Sequence, residues 1–194
     1  MPAAVAVRMM IVLAAALCCA TAASADETAA LLALREGRPI ALLRHALAPG
    51  SAGDPPGFRL GDCATQRNLS AEGREQARRA GLRLKAARVK IGKVLSSPWC
   101  RCLETARLLD LGDAETARAF SNAFVLAGER AELTRAAKAL IAAWRGPGAL
   151  LVVTHGENIA ALTGINPREG EIVVVDVESC PTGLIPDILD RADA

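Results

Sequence analysis

The stretch Ile40-Ala41-Leu42-Leu43-Arg44-His45-Ala46 decides the fold of this chain. A short apolar run with a proline before it and a Gly/Pro-rich segment after it is typical of a buried parallel strand. In open α/β sheets, ligands bind beyond the carboxyl ends of such strands. We therefore expect Arg44 and His45 to lie at the edge of a ligand-binding crevice.

A second stretch of the same kind, Leu150-Leu151-Val152-Val153-Thr154-His155-Gly156, carries the other of the two histidines in the chain. The carboxyl ends of parallel strands meet at one edge of a sheet, so each strand delivers one imidazole to a shared place. Either histidine alone fits an incidental, hydrogen-bonded strand end. The pair, with arginines at matching places, indicates one site.

The segments around these two runs alternate between helical and extended patterns. A lead-in helix is expected over Ala29–Leu34, ending near Gly37, and a long helix over Ser70–Arg88 with Ser70 as N-cap. A strand is expected over Lys93–Ser97, followed by a helix with Ser97 as N-cap and Pro98 at its first position. A short strand over Thr116–Phe120 and helices over Ala131–Trp144 and Glu157–Leu162 come next. The last expected element is a strand over Glu171–Val177, which fits an edge of the sheet. This order predicts an α/β fold with three layers, helices covering both faces of a mostly parallel central sheet.

The segment Leu47–Asn68 is too long for a plain connection in a compact domain, and it holds three prolines and four glycines. Long ordered loops after a strand are frequently functional. This loop carries Arg59, Asp62 and Arg67, so we expect it to contribute to the site.

The first 25 residues have the pattern of a signal peptide. Arg8 precedes an apolar run over Met9–Leu17 that is too short to span a bilayer, and Ala23-Ser24-Ala25 is a small-x-small cleavage site before Asp26. The division predicted is a signal peptide over 1–25 and one domain over 26–194, periplasmic or secreted, with no stable membrane insertion after cleavage. A lipoprotein anchored at Cys18 or Cys19 is the alternative, but Leu17 is a poor residue before such a cysteine.

Composition argues against a nucleic-acid partner. The formal net charge is only +2, and two tryptophans, three phenylalanines and no tyrosine leave little surface for base stacking. A bound phosphate would be one small group held by a local cluster of charges.

Four cysteines remain after signal cleavage: Cys63, Cys100, Cys102 and Cys180. In an oxidising compartment this number favours disulfides, with three possible connectivities. A zinc site is the weaker alternative, because paired C-x-x-C spacings are missing. A bond from Cys63 to Cys100 or Cys102 would pin the long loop beside Arg101.

Three motifs resemble, in order and spacing, the signatures of the histidine phosphatase superfamily, which has a phosphoglycerate mutase-like fold. They are Leu43-Arg44-His45-Ala46, the stretch from Ser96-Ser97-Pro98 through Arg101 to Thr105-Ala106, and Val153-Thr154-His155-Gly156. Asn68-Leu69-Ser70 with Gly73 and Gln76-Ala77 resembles the helix entry of that family. Exported members of similar size include phosphatases of phosphorylated lipopolysaccharide sugars.

The resemblance implies that His45 attacks phosphorus and forms a phosphohistidine, and that His155 donates a hydrogen bond to the equatorial oxygens. Neighbouring guanidinium groups keep an imidazole neutral and grip phosphate oxygens, which suits Arg44 and Arg101, with Arg67 as a further phosphate ligand. No metal or other cofactor is expected.

The general acid for the leaving group has no plain match. Glu157 beside His155, Asp62 in the long loop and Glu129 are the candidates, and each also fits a solvated carboxylate. If none of them serves, the substrate needs a leaving group that departs without a proton.

The function expected is an exported phosphomonoesterase acting on a small phosphorylated substrate. The alternative is a phosphate-binding or scaffold protein with the same pocket and little or no hydrolysis. Mutase activity is a third option, which the small size of the chain disfavours. The natural substrate and the oligomeric state stay open at this point.

Overall fold

A computed structural model describes residues 29–36, 39–50, 53–176 and 187–193. Its centre is a six-stranded sheet in the order β3-β2-β4-β1-β5-β6. The strands are β1 Ile40–Arg44, β2 Ile91–Ser96, β3 Ala114–Thr116, β4 Ala149–Thr154, β5 Glu171–Asp176 and β6 Asp187–Asp193. The predicted signal peptide with Cys18 and Cys19, as well as Gly37 and Cys180, lie outside the described residues.

The four strands β1 to β4 pair in parallel, whereas β5 and β6 pair antiparallel to their neighbours. The predicted last strand is therefore present, but it is not an edge, because β6 covers its outer side. The sequence after Cys180 has no clear apolar periodicity, so it did not predict β6. An edge strand whose sequence does not alternate regularly between apolar and polar residues gives little basis for predicting it.

The helices are α1, described over residues 29–33, α2 Ala71–Ala86, α3 Cys100–Leu109, α4 Arg130–Ala142 and α5 Gly156–Thr163. Strand side chains alternate between two faces. Ala41 and Leu43 of β1 pack in a cluster with α2 and α3, whereas Ile40 and Leu42 pack with α4 and α5. The predicted three-layer α/β/α class with a mostly parallel central sheet is confirmed. No helix among the described residues is long and apolar enough to cross a bilayer.

Three local predictions were wrong. The helix α3 starts at Cys100 with Trp99 as N-cap, so Ser97 is not its cap; the Ser97 hydroxyl is bonded to a histidine instead. The strand expected at Thr116–Phe120 ends at Thr116, and a 3₁₀ turn over Arg118–Phe120 follows. The apolar periodicity of α4 predicts Leu140 on the same buried side as Leu133 and Ala137, but Leu140 is 43% exposed.

The helix α2 packs closely enough to exclude two side chains. Its N-cap is Ser70, as predicted, whose hydroxyl accepts a hydrogen bond from the Gly73 N–H. A Cβ at Gly73 would lie 2.1 Å from the Leu47 carbonyl oxygen, and one at Gly81 would lie 2.0 Å from that of Leu109. The small-residue face of α2 therefore brings backbone against backbone, next to the start of the long loop.

Candidate active site

The two histidines meet at the carboxyl edge of the sheet, as expected. Strands β1 and β4 are in register, with Arg44 opposite Thr154, and the His45 N–H donates to the Thr154 carbonyl at 2.9 Å. The two imidazole centroids are 5.5 Å apart, at an interplanar angle of 68°. Both residues are buried. The strand pairing alone thus fixes the spacing of the two rings.

A cavity of about 150 Å³ opens at this edge, and it gathers most of the predicted site residues. It is lined by Arg44, His45, Gly53, Arg67, Arg101, Asn122, Phe124, His155, Gly156, Glu157 and Asn166.

Two candidate acids lie away from that cavity. Asp62 is not among the lining residues: its carboxylate caps a 3₁₀ turn over Cys63–Thr65 and pairs with Arg59. Glu129 also lies away and pairs with Arg118. The structure therefore does not bring Asp62, a predicted catalytic residue, together with the two histidines. Its carboxylate is used locally, by the loop that carries it.

The ring of His45 is oriented by a backbone bond. Its Nδ1 lies 2.9 Å from the Ala46 carbonyl oxygen, and because a carbonyl only accepts, Nδ1 carries the proton. Burial lowers the pKa of His45 to about 3, against the effect of the Ala46 bond and with the help of the nearby guanidinium charges. The other nitrogen, Nε2, is thus unprotonated and carries a free lone pair.

The ring of His155 is held between a hydroxyl and a guanidinium. The Ser97 Oγ lies 2.8 Å from Nε2, and the Arg101 Nη2 lies 3.5 Å from Nδ1. The buried Cys102 thiol is 3.6 Å from Nε2, and burial raises its pKa to about 12, so it stays protonated. Burial, followed by the charges of His45 and the arginines, lowers the pKa of His155 well below its usual value. His155 is also neutral.

The guanidinium of Arg101 is fixed by Asp54, a residue that the sequence reasoning missed. The Arg101 nitrogens lie 2.7 and 3.3 Å from the two carboxylate oxygens, and both side chains are fully buried. Asp54 also accepts from Trp99 Nε1 at 2.9 Å and from the Arg67 N–H at 3.1 Å. Burial raises the pKa of Asp54, but the bonds to Arg101 outweigh it, and the pKa lies below its usual value.

A second carboxylate, Glu169, links the other two arginines. It lies 3.3 Å from Arg67 Nη1 and 3.6 Å from Arg44 Nη2, and 3.9 Å from the Nδ1 side of His45. Arg44 also donates to the Pro167 carbonyl and Arg67 to the Gly53 carbonyl. Each of these two arginines is therefore held by a carboxylate and a backbone carbonyl.

Two guanidinium donors at the cavity lack acceptors. The Nε–H groups of Arg44 and Arg101 are buried and have no hydrogen-bond partner within the part of the chain that the structure describes. A buried unsatisfied donor costs about 1–3 kcal/mol. The amino end of α5 also opens on this cavity, with His155 as N-cap and Gly156 in the lining. Such an arrangement favours a small anion.

The long loop is fastened to the site by a disulfide between Cys63 and Cys100, one of the two pairings proposed for Cys63. Gln66 reinforces it, because its side-chain oxygen accepts from the Cys100 N–H at 3.0 Å and its amide donates to the Leu60 carbonyl at 2.8 Å. No metal-binding group of three or more His, Cys, Asp or Glu occurs among the residues described. This part of the structure gives no support to a zinc site.

Six residues at or beside the cavity escaped sequence reasoning: Gly53, Asp54, Asn122, Phe124, Asn166 and Glu169. Each comes from an irregular segment without a periodic pattern. For Asp54 a weak signal existed, since a carboxylate in a long loop after a His-bearing strand is a candidate partner for a buried arginine. The others depend on tertiary contacts.

Comparison with known proteins agrees with this fold. The model of the histidine phosphatase superfamily (branch 1) matches residues 40–119. A phosphoserine phosphatase of Entamoeba histolytica has 14% identity and a TM-score of 0.57, covering 81% of this chain and 98% of that chain. No curated protein matches the sequence.

Two further solved structures are similar at the same level. A mycobacterial glucosyl-3-phosphoglycerate phosphatase, in complex with inorganic phosphate, has 16% identity and a TM-score of 0.57, covering 81% of this chain and 98% of that chain. The TTHB049 protein of Thermus thermophilus has 17% identity and a TM-score of 0.55, covering 80% of this chain and 99% of that chain.

The parallel sheet carries two histidines at its carboxyl edge and defines a three-layer α/β protein. Over residues 40–119 the chain is similar to the histidine phosphatase superfamily, and the solved structures share its fold.

Proposed function

We propose that the chain is an exported phosphomonoesterase that hydrolyses a small phosphorylated substrate through a phosphohistidine on His45. The observation that carries this proposal is the neutral Nε2 of His45 facing a cavity in which two buried guanidinium Nε–H groups lack acceptors. A phosphoryl group offers both an electrophilic phosphorus and the oxygens that these donors need.

In the first step the lone pair of His45 Nε2 forms a bond to phosphorus while the bond to the leaving oxygen breaks, and the electron pair goes to that oxygen. Arg44 and Arg101 hold the phosphoryl oxygens as their charge changes. In the second step a water attacks the phosphohistidine, the nitrogen–phosphorus bond breaks, and the water's proton is released.

His155 acts in the same steps as a hydrogen-bond donor. Without a ligand, Arg101 Nη2 is the donor to Nδ1 of His155, since a guanidinium only donates. In the proposed complex Arg101 donates to the phosphoryl oxygens instead, the Ser97 hydroxyl donates to Nε2, and the proton of His155 is then on Nδ1, facing the anion. A preorganised neutral donor of this kind stabilises the equatorial oxygens of the transition state. The neutral state of both rings supports this division of roles.

The experiment is a quench in alkaline detergent after mixing with a phosphate ester labelled with ³²P. A label on the protein that is acid-labile and alkali-stable, that maps to the peptide containing His45, and that is missing in His45→Ala supports the proposal. Tight vanadate or phosphate binding, with no label and no release of phosphate from any ester, would favour the alternative of a phosphate-binding or scaffold protein.

Export is proposed from the first 25 residues, and the Cys63–Cys100 disulfide agrees with an oxidising compartment. Amino-terminal sequencing of the protein after expression in a Gram-negative host tests this part. A mature chain starting at Asp26 in the periplasmic fraction is expected, and an unprocessed cytoplasmic chain would contradict it.

A further inference from the structure

The departure of the leaving group depends on whether a proton donor is available. An alkoxide leaves slowly unless a positioned acid protonates it, and a good general acid contributes about 10²–10⁴-fold in rate. Aryl oxygens, carboxylates and protonated ring nitrogens depart without that help. The carboxyl groups at the cavity therefore decide which substrates suit the proposed reaction.

Two of the nearby carboxylates are used for other purposes. Asp54 is buried against Arg101 and Trp99, in a position that requires its ionised form. Glu169 lies on the Nδ1 side of His45, held by two arginines. Because the leaving group departs in line with Nε2, Glu169 is on the wrong side of the ring to protonate it.

The third carboxylate, Glu157, lines the cavity but is paired with Arg130, with 3.0 Å between Glu157 Oε1 and Arg130 Nη1. This ion pair engages one of the two carboxylate oxygens of Glu157. Asp62 and Glu129 lie away from the cavity. Among the described residues, no carboxyl group lines the cavity without being held in an ion pair.

Asn122 supplies a different kind of donor at the same place. It lines the cavity and is 3% exposed. Its Oδ1 accepts from the Phe124 N–H at 3.0 Å and from the Val125 N–H at 3.4 Å. These two bonds fix the amide orientation, and the NH₂ group is what remains to face the cavity.

Phe124 is the only described residue of the lining with a hydrocarbon side chain, and it is 51% exposed. A ring carbon of Phe124 lies near Gly53 of the long loop. Aromatic rings favour flat partners in stacked or edge contacts. The opening of the cavity therefore combines a hydrogen-bond donor with an apolar wall.

We propose that the site is built for phosphoryl compounds with a weakly basic, flat leaving group, and that the Asn122 amide donates a hydrogen bond to the departing atom. The proposal rests on the proposed phosphohistidine reaction. The electron pair of the broken bond stays on the departing oxygen or nitrogen, which leaves as a phenolate, a carboxylate or a neutral heterocycle. A phenolate takes its proton later, from solvent, whereas a carboxylate stays ionised and the heterocycle, already protonated on its other ring nitrogen, leaves neutral.

The test is the dependence of kcat/KM on leaving-group basicity, because kcat/KM reports the step up to cleavage of the substrate bond. The probes are p-nitrophenyl phosphate, phenyl phosphate and glycerol phosphate, with acetyl phosphate and phosphoimidazole as acyl and nitrogen-linked members. We expect a fall of about 10³-fold or more from p-nitrophenyl to glycerol phosphate, since no acid compensates.

Three variants separate the contributions. In Asn122→Asp the backbone bonds to Oδ1 persist and the donor is lost, so kcat/KM should fall more for basic leaving groups, which steepens the dependence. Glu157→Gln should keep the wild-type slope whatever its absolute rate. Phe124→Ala should lower kcat/KM for the aryl and imidazole substrates about three- to tenfold and leave kcat/KM for acetyl phosphate unchanged. Leu82→Ala, exposed on α2, is the matched control.

A shallow dependence in the wild type that becomes steep in Glu157→Gln would overturn the proposal, because Glu157 would then be the acid. An equal loss for all substrates in Asn122→Asp would overturn the role of Asn122, and equal losses in Phe124→Ala and the control would overturn that of Phe124. Labelled His45 with a shallow slope refutes only this inference, whereas no label with any probe refutes the phosphohistidine reaction itself.

Discussion

The cavity has two walls of different origin. One wall comes from the ends of β1 and β4 and carries Arg44, His45 and His155. The other comes from irregular segments and carries Asp54, Arg67, Asn122 and Phe124. The first wall is positioned by sheet register, so its geometry follows from backbone pairing. The second wall is positioned by side-chain bonds and a disulfide, and it is therefore more sensitive to single substitutions.

The largest effect should come from Arg101→Ala, which breaks the contact between the two walls. Removing one partner of a buried ion pair costs about 3–5 kcal/mol, here because Asp54 is left as an uncompensated charge. Loss of the phosphate clamp should also reduce kcat/KM by about 10³-fold. Urea denaturation and steady-state kinetics measure both, and a stable, active variant would contradict the coupling.

Loss of the disulfide should affect the irregular wall next. The bond between Cys63 and Cys100 closes a segment with a sequence separation of 37, and removing such a bond typically costs about 2–4 kcal/mol. The double variant Cys63→Ala/Cys100→Ala should melt at a lower temperature, with no further change on adding reductant. In Cys102→Ala the disulfide is intact, so reductant should still lower the melting temperature. If reductant has no effect on the wild type, the disulfide does not stabilise the loop.

The strand-end wall can be tested by pH. At pH 5 an imidazole of pKa 6.5 is about 97% protonated, whereas His45, with its pKa lowered to about 3, should stay neutral. Unfolded histidines bind a proton below pH 6.5 and the folded ones do not, so stability should fall as the pH drops from 6.5 towards 3.

Ring ¹⁵N NMR of the two histidines, assigned with His155→Ala, checks this protonation state. The expected spectrum at pH 5 shows the neutral form of His45 with the proton on Nδ1. An imidazolium signal for His45 between pH 5 and 6 would contradict the expectation that burial keeps this ring neutral.

A smaller effect is expected at Ser97. Its hydroxyl is the hydrogen-bond partner of His155 Nε2, and second partners of this kind fix the orientation and tautomer of a histidine. Ser97→Ala should lower kcat by about tenfold, a loss of one modest hydrogen bond, with KM little changed. Ser97→Thr should restore most of the rate. Equal activity of the alanine and threonine variants would show that Ser97 only packs.

The smallest effect should come from Asp62→Asn, at the periphery of the irregular wall. Its exposed pair with Arg59 is worth less than about 1 kcal/mol. We expect kcat/KM within about twofold of the wild type, since the residue lies away from the cavity. A loss of tenfold or more in kcat/KM would support the predicted catalytic role of Asp62.

The difference between the walls also explains what the sequence could predict. Apolar runs that end in Arg44-His45 and Thr154-His155 follow a local pattern, and the parallel register then brings them together. Asp54 has no such pattern, because its role exists only once Arg101 and Trp99 are near it. Asn122 and Glu169 depend in the same way on contacts across the fold.

Errors in the secondary-structure prediction have physical causes too. Ser97-Pro98 has the composition of a helix start, but the Ser97 hydroxyl is engaged by His155, and the helix begins three residues later. Where a polar side chain has two possible partners, local propensity does not decide between them.

Gly73 restricts the substitutions that the surroundings of this site can accommodate. With no side chain there, the first turn of α2 lies directly against the Leu47 carbonyl, two residues after His45. Even a methyl group at position 73 would displace the peptide that follows Ala46, whose own carbonyl orients the His45 ring. The absence of a side chain at one helical position thus contributes to the orientation of an imidazole at the end of a neighbouring strand.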